Sequence, residues 1–221
     1  MTVSSSVPSG STSANVPKSI YRKWWFWVLA TPVIFYIAVV IYRVPFVIEE
    51  NKTREVVAQI HAQKLTLADV NGENLPPTPD PAQVDATVEG VDANGNGIRD
   101  DVELAIFKKY PNSAKIRAAE LQYAKALQMI FNSTFNVETL TAVTWEESRG
   151  YFCIDSTFPR LPNSASNEAL NSQDKDFRSK IAEVKNLVLN TSERVQKREN
   201  VFNKYTSSHS SPSNEFCDVD L

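Results

Sequence analysis

Residues 24–42 read WWFWVLATPVIFYIAVVIY, nineteen positions without a charge. As a helix rising ~1.5 Å per residue this run spans roughly 28 Å, the thickness of a bilayer's hydrocarbon layer. Tyr21, Trp24, Trp25 and Trp27 crowd one end, and Tyr42 and Phe46 mark the other. Such rings favour the headgroup boundary, where an apolar body and a polar tip are both accommodated. A cleaved leader would have a shorter apolar run and a small-residue exit. Here the exit is Ile41-Tyr42-Arg43-Val44-Pro45, which is bulky. A buried core helix of this length would show a polar face. The run therefore predicts a retained single span, anchored over residues 21–48 and touching lipid over 24–42.

The rest of the chain is organised around that anchor. Residues 1–20 are rich in Ser, Thr and Pro, and a disordered tail is expected. The first 48 residues hold Lys18, Arg22, Lys23 and Arg43 and no acid, so the net charge of −3 hides an acidic remainder. That balance argues against a nucleic-acid binder. Lys18, Arg22 and Lys23 precede the span while Arg43, Lys52 and Arg54 follow it, so charge counting leaves orientation tied. Residues 49–81 offer only Val56, Val57 and Ile60 as an apolar stripe, then Asn71-Gly72 and a run of prolines from Pro76 to Pro81. This composition reads as a stalk.

The folded part is expected at 82–221, and its signals are helical. The fold class is thus mainly α: one transmembrane helix, a Pro-rich stalk and a small helical domain. Helices are predicted at 100–110, 114–131 and 137–148, with a loop at 156–166. In the second, Ile116, Ala119, Tyr123, Leu127 and Ile130 recur at helical spacing, and Ser113 stands ready as its cap. Phe177, Ile181, Val184, Val188, Val195 and Phe202 alternate threes and fours, with Thr191 and Arg198 interrupting the seam. A partner helix docking along 177–202 is one reading; a helix packed on its own domain is the other and is preferred. Asn190-Thr191-Ser192-Glu193 also signals a new helix start.

Residues 92–103, DANGNGIRDDVE, carry the one pattern with evident chemistry. Calcium takes six to eight hard oxygen ligands, and a twelve-residue loop supplies them from positions 1, 3, 5, 7, 9 and 12. Those positions hold Asp92, Asn94, Asn96, Ile98 (through its carbonyl), Asp100 and Glu103, with Gly97 at the sharp turn. The competing reading makes Asn94-Gly95 and Asn96-Gly97 ordinary turns and gives Asp100 and Asp101 to a helix start, where acids are favoured without any ion. The pattern resembles the calcium loop of EF-hand proteins, and more closely the loop-only versions in thrombospondin type 3 and bacterial envelope proteins. With the upstream Leu75-Pro76-Pro77-Thr78-Pro79-Asp80-Pro81 it is also similar to a group of bacterial membrane-anchored proteins. The resemblance implies Ca²⁺ as cofactor and no activity. It departs from the full EF-hand in having its aliphatic residue, Ile98, at position 7, a weak entering segment and no second loop. Three carboxylates among the ligands imply a dissociation constant of about 10⁻⁵–10⁻³ M, suited to the outside of a cell.

Cys153 and Cys217 are the only thiols and both follow the span. They form a candidate disulfide in an oxidising compartment, against the alternative of two separate buried thiols. Nucleophile elbows, phosphate loops, dinucleotide fingerprints and zinc-protease motifs are all missing. His61 falls in the expected stalk and His209 in a Ser-rich tail, while Glu146-Glu147 reads as a pair of acids facing water. Asn51, Asn132 and Asn190 each begin a glycosylation sequon. The chain is accordingly read as a single-pass inner-membrane protein with an extracytoplasmic, calcium-stabilised domain of structural or interactive role. No enzymatic activity or small-molecule substrate is indicated. The alternatives are an envelope hydrolase or a cytosol-facing calcium-responsive module.

Overall fold

A computed structural model describes residues 18–212 and 215–221, with side chains from Trp24 onward. The tail expected over 1–20 lies outside the described residues as far as residue 17. The chain divides into a first unit ending at Glu50 and a second, Asn51–Leu221. Among the described residues all regular structure is helical.

Helix α1 (Lys18–Ala62) is 45 residues long. From Trp24 to Ile48 its large apolar side chains are exposed, and it is long and apolar enough to cross a membrane. Pro32 and Pro45 lie inside it. Each removes one backbone donor, and beside the first the Thr31 hydroxyl donates to the Trp27 carbonyl.

In the second unit the stretch expected as a stalk is part of the fold. Ile60, Leu65 and Val70 are buried. A short helix, α2 (Leu67–Asn71), opens with a capping box in which Thr66 accepts from the Asp69 amide and Asp69 accepts from the Thr66 amide. The boundary was hidden because the stripe ending at Ile60 is short, and Leu65 and Val70 follow at intervals of five, which fit neither the helix nor the strand period. The prolines beyond them lead into one more turn, α3 (Pro81–Val84), capped by Asp80.

The remaining helices are α4 (Asp100–Lys109), α5 (Ala114–Ser133), α6 (Val137–Ser156), α7 (Asn167–Val188) and α8 (Ser192–Lys204). Helix α5 is the axis. Every residue from Arg117 to Phe131 is buried, although the sequence alternates apolar and polar positions. Its apolar positions, Leu121, Tyr123, Ala124, Leu127 and Ile130, enter the core with Leu140, Val143 and Ile154 of α6 and Ile181, Val184 and Val188 of α7. Three of its polar positions bind the short helix α2, loops and the C-terminal segment. Arg117 donates to the carbonyls of Val70, Tyr110 and Pro111. Gln122 donates to the Phe216 carbonyl and accepts from the Asp218 amide. Gln128 donates to the Glu89 carbonyl at 2.7 Å. Buried carbonyls outside helices need donors, and this face supplies them.

Helix α6 runs eight residues beyond the expected end at 148, through Gly150. A β-carbon at Gly150 would lie 2.8 Å from the Tyr123 α-carbon, so the residue that looks like a breaker is where α5 and α6 approach most closely. The long C-terminal pattern is two helices, turning at 189–191, with Thr191 accepting from the Arg194 amide as cap. The turn shifts the register. Phe177, Ile181, Val184, Val188 and Val201 are buried in the unit's own core, whereas Val195 and Phe202 are left 39% exposed. The seam over 177–202 is therefore used mainly inside the domain, and no partner for it is identified. The expected disulfide is present: Cys153 of α6 is bonded to Cys217, with α-carbons 5.0 Å apart. Closing a loop across 64 positions contributes about 4 kcal/mol on a chain-entropy model.

Replacing Gly150 with Ala tests the α5–α6 contact. Helix propensity alone would add about 1 kcal/mol of stability. Contact with backbone at 2.8 Å should outweigh it, for a net loss of about 1–3 kcal/mol in denaturant melts. A gain in stability would show that the helices are not held this close.

Candidate functional site

The loop 92–103 is built around local hydrogen bonds from side-chain oxygens to the backbone ahead of them. The Asp92 carboxylate accepts from the amides of Gly95, Asn96 and Gly97. Asn94 Oδ1 accepts from the Asn96 amide, and Asn96 Oδ1 from the Ile98 amide. Gly95 and Gly97 have φ of 71° and 87°, the left-handed conformation that lets the chain coil round these oxygens. The Ile98 side chain is in the core and the Asp100 amide donates to the Val91 carbonyl at 2.8 Å, closing the base of the loop. Two buried arginines hold this base to the rest of the unit. Arg99 pairs with Asp101 and donates to the carbonyls of Leu187 and Val188. Arg194 pairs with Asp85 and donates to the carbonyls of Val84, Thr87 and Val88.

Helix α4 brings Glu103 back into the loop. Both Asn94 and Asn96 donate through Nδ2 to its Oε2, at 3.0 and 2.9 Å. Asp100 accepts from the Ala93 amide through Oδ1. Glu103 and Asp100 are 0% and 1% exposed, yet Glu103 Oε1 and Asp100 Oδ2 have no hydrogen-bond partner. Burial pushes both carboxyls above their ordinary values. For Glu103 the two amide hydrogen bonds work the other way without restoring it, and Asp69 and Asp100 add repulsion. For Asp100 the Ala93 amide opposes burial, and Asp92 and Asp101 reinforce it.

The structure thus brings Asp92, Asn94, Asn96 and Glu103 together by direct contacts, with Asp100 tied to the Ala93 amide alongside. Ile98 contributes its side chain to the core. Among the described residues no three His, Cys, Asp or Glu side chains form a metal-binding group. The donor set of the loop is mixed: amide side chains stand between its carboxylates, and it is their N–H groups that face Glu103. A polar cavity of about 390 Å³ opens beside it, bordered by Asp69, Asp92, Asn96 and the buried Lys125. Burial lowers the Lys125 ammonium below its usual value, while Asp218, Asp69 and Asp92 hold it up.

A second polar cluster was not legible in the sequence. Glu146 of α6, expected to face water, is 6% exposed. It accepts from Arg149 at 2.7 Å and lies 2.8 Å from His61 Nδ1, at the end of α1. Asp218 in the C-terminal segment pairs with the same Arg149 at 2.9 Å and accepts from the Leu65 amide. The His61 ring meets Trp145 edge-on, with centroids 5.2 Å apart. Glu147 instead pairs with Arg198. His61 and His209, assigned from sequence to separate extensions, line one cavity with Trp145. The only sequence signal for this cluster was Glu146 standing three residues before Arg149, a helical ion-pair spacing.

No family model, curated protein or solved structure matches the chain.

The loop geometry makes different demands on its two glycines. Gly95→Ala meets nothing within 4 Å, so only the left-handed backbone resists it, at about 1–2 kcal/mol. Gly97→Ala carries the same backbone cost and presses on the Lys125 side chain at 3.2 Å. Chemical melts should rank Gly97→Ala as the more destabilised; the reverse order would contradict this packing.

Proposed function

We propose that this protein is a single-pass membrane protein carrying an extracytoplasmic helical domain, and that Ca²⁺ bound by residues 92–103 stabilises that domain for a structural or interactive role. The observation that carries the reading is the pair of buried, unpartnered carboxylate oxygens, Glu103 Oε1 and Asp100 Oδ2, inside a loop already wrapped around its own side-chain oxygens. Buried charge without a partner is costly, and a divalent cation relieves it. The residues fit the ion. Asp92, Asn94, Asn96, Asp100 and Glu103 would supply side-chain oxygens and Ile98 its carbonyl, all hard ligands of the kind calcium prefers. Rotation of the two Asn amides would turn oxygen where N–H now faces Glu103.

The ion's part is mechanical. It would replace repulsion between Asp92, Asp100 and Glu103 with attraction, and so fasten the start of α4 to the segment before it. Through Arg99 the same point is joined to the turn between α7 and α8. At calcium a hundredfold above its dissociation constant the added stability is about 2.7 kcal/mol. Export is supported by two features. The Cys153–Cys217 disulfide persists in oxidising compartments, and a site with three carboxylates would fill at the calcium levels found outside the cytoplasm.

The test uses the full chain in lipid nanodiscs. Calcium should titrate with measurable heat and raise the melting temperature, and Glu103→Gln, losing one carboxylate oxygen and the charge, should weaken affinity at least tenfold. In intact cells, protease added outside should degrade residues 51–221 and leave the N-terminal tail. Absence of heat and melting shift would sink the calcium reading. Protection of the domain until the membrane is opened would reverse the orientation.

A further inference from the structure

A cavity of about 550 Å³ lies where the last turns of α1 meet the start of α6, some way from the calcium loop in sequence and independent of it in chemistry. Its volume is within the ~300–1,000 Å³ of pockets that hold small molecules. The walls are largely apolar, from Val57, Val137, Ala142 and Trp145. One end is different, because His61, Lys64 and Glu146 meet there.

The hydrogen-bonding state of that end selects the ligand. Both oxygens of Glu146 are engaged, Oε1 by His61 and Oε2 by Arg149. Each oxygen is thus already the acceptor of a close contact. Donors are in surplus. The Lys64 ammonium is 3.4 Å from Asp218 and 3.8 Å from Glu146, longer than the ~2.7–2.9 Å of a charge-assisted hydrogen bond. Its side chain is 41% exposed, and beside those two contacts the ammonium keeps donor capacity for a ligand. His61 uses Nδ1 on Glu146, and among the described residues Nε2 has no protein partner. The carboxylate of Glu138 also borders the cavity, but eight residues from Glu146 on α6, or ~12 Å along the helix. It marks the opposite end and does not face the donors.

We propose that this cavity binds a small amphipathic monocarboxylate, its apolar body laid against Trp145 between α1 and α6 and its carboxylate held by Lys64. An apolar body excludes water from walls that would otherwise stay wetted. The acid group then completes the hydrogen bonding of an ammonium that the protein itself leaves incomplete. Neutral analogues of the same shape gain the first contribution without the second.

The experiment compares 1-naphthaleneacetate with 1-naphthaleneethanol by calorimetric titration of the full chain in phosphatidylcholine nanodiscs, with empty nanodiscs subtracted. The acid should bind saturably at one site per chain and at least tenfold tighter than the alcohol. Lys64→Gln, an exposed substitution with little bearing on folding, should remove most of that preference and leave alcohol binding unchanged. Trp145→Ala should weaken both probes. No saturable binding above empty nanodiscs would overturn the proposal, as would equal affinity for acid and alcohol, or an acid preference that survives Lys64→Gln.

Discussion

The second unit depends on one constraint: α5 is buried on all sides, and a third of what it buries is polar. A helix wrapped by other helices would normally be apolar all round. Here three of the polar positions donate to chain outside the long helices, while Glu120 pairs with Lys180 of α7. Arg117, Gln122 and Gln128 reach the carbonyls of Val70, Phe216 and Glu89, residues drawn from three separated stretches. These bonds set where the irregular segments run. The segment ahead of the loop 92–103 and the C-terminal segment are positioned in this way, so the loop and the Glu146 cluster both lie beside α5.

Two devices then fix the segments so placed. One is electrostatic. Arg99 and Arg194, both essentially unexposed, each accept the confinement of a full charge by pairing with an aspartate and by donating to several carbonyls. Removing any one acceptor would leave a buried cation short of partners, which is why such clusters are sensitive to single changes. The other is covalent and lies at the far end. Cys217 is bonded to α6, Phe216 packs on Phe152, and Asp218 completes the Arg149 ion pair. The C-terminal segment is in this way a working part of the core.

Much of the architecture was legible in the sequence, and the misses have physical causes. The uncharged run at 24–42, the cap at Ser113, the helical spacing from Ile116 to Ile130 and the pairing of the two cysteines were all correctly anticipated. The stalk was misplaced because the stripe Val56, Val57 and Ile60 is only one turn or so long, and Leu65 and Val70 beyond it carry no periodicity. The end of α6 was set too early because Gly150 looks like a breaker, whereas the tight approach of Tyr123 requires it. Within the loop 92–103, Asn94 and Asn96 donate to Glu103, a contact between side chains that sequence analysis had assigned to an ion. Burial of Glu146 and its union with His61 could not be read at all, since the two are 85 positions apart and are joined only by the fold.

Hydrogen exchange of the full chain, with calcium and with chelator, reads the central claim at the residues concerned. Amides within 92–103 should exchange more slowly in calcium, because the ion draws Asp92, Asp100 and Glu103 onto one centre and the backbone with them. Protection at α5 should change least. If those loop amides exchange at the same rate in both buffers, the loop is a self-satisfied turn and the unpartnered oxygens of Asp100 and Glu103 await no cation.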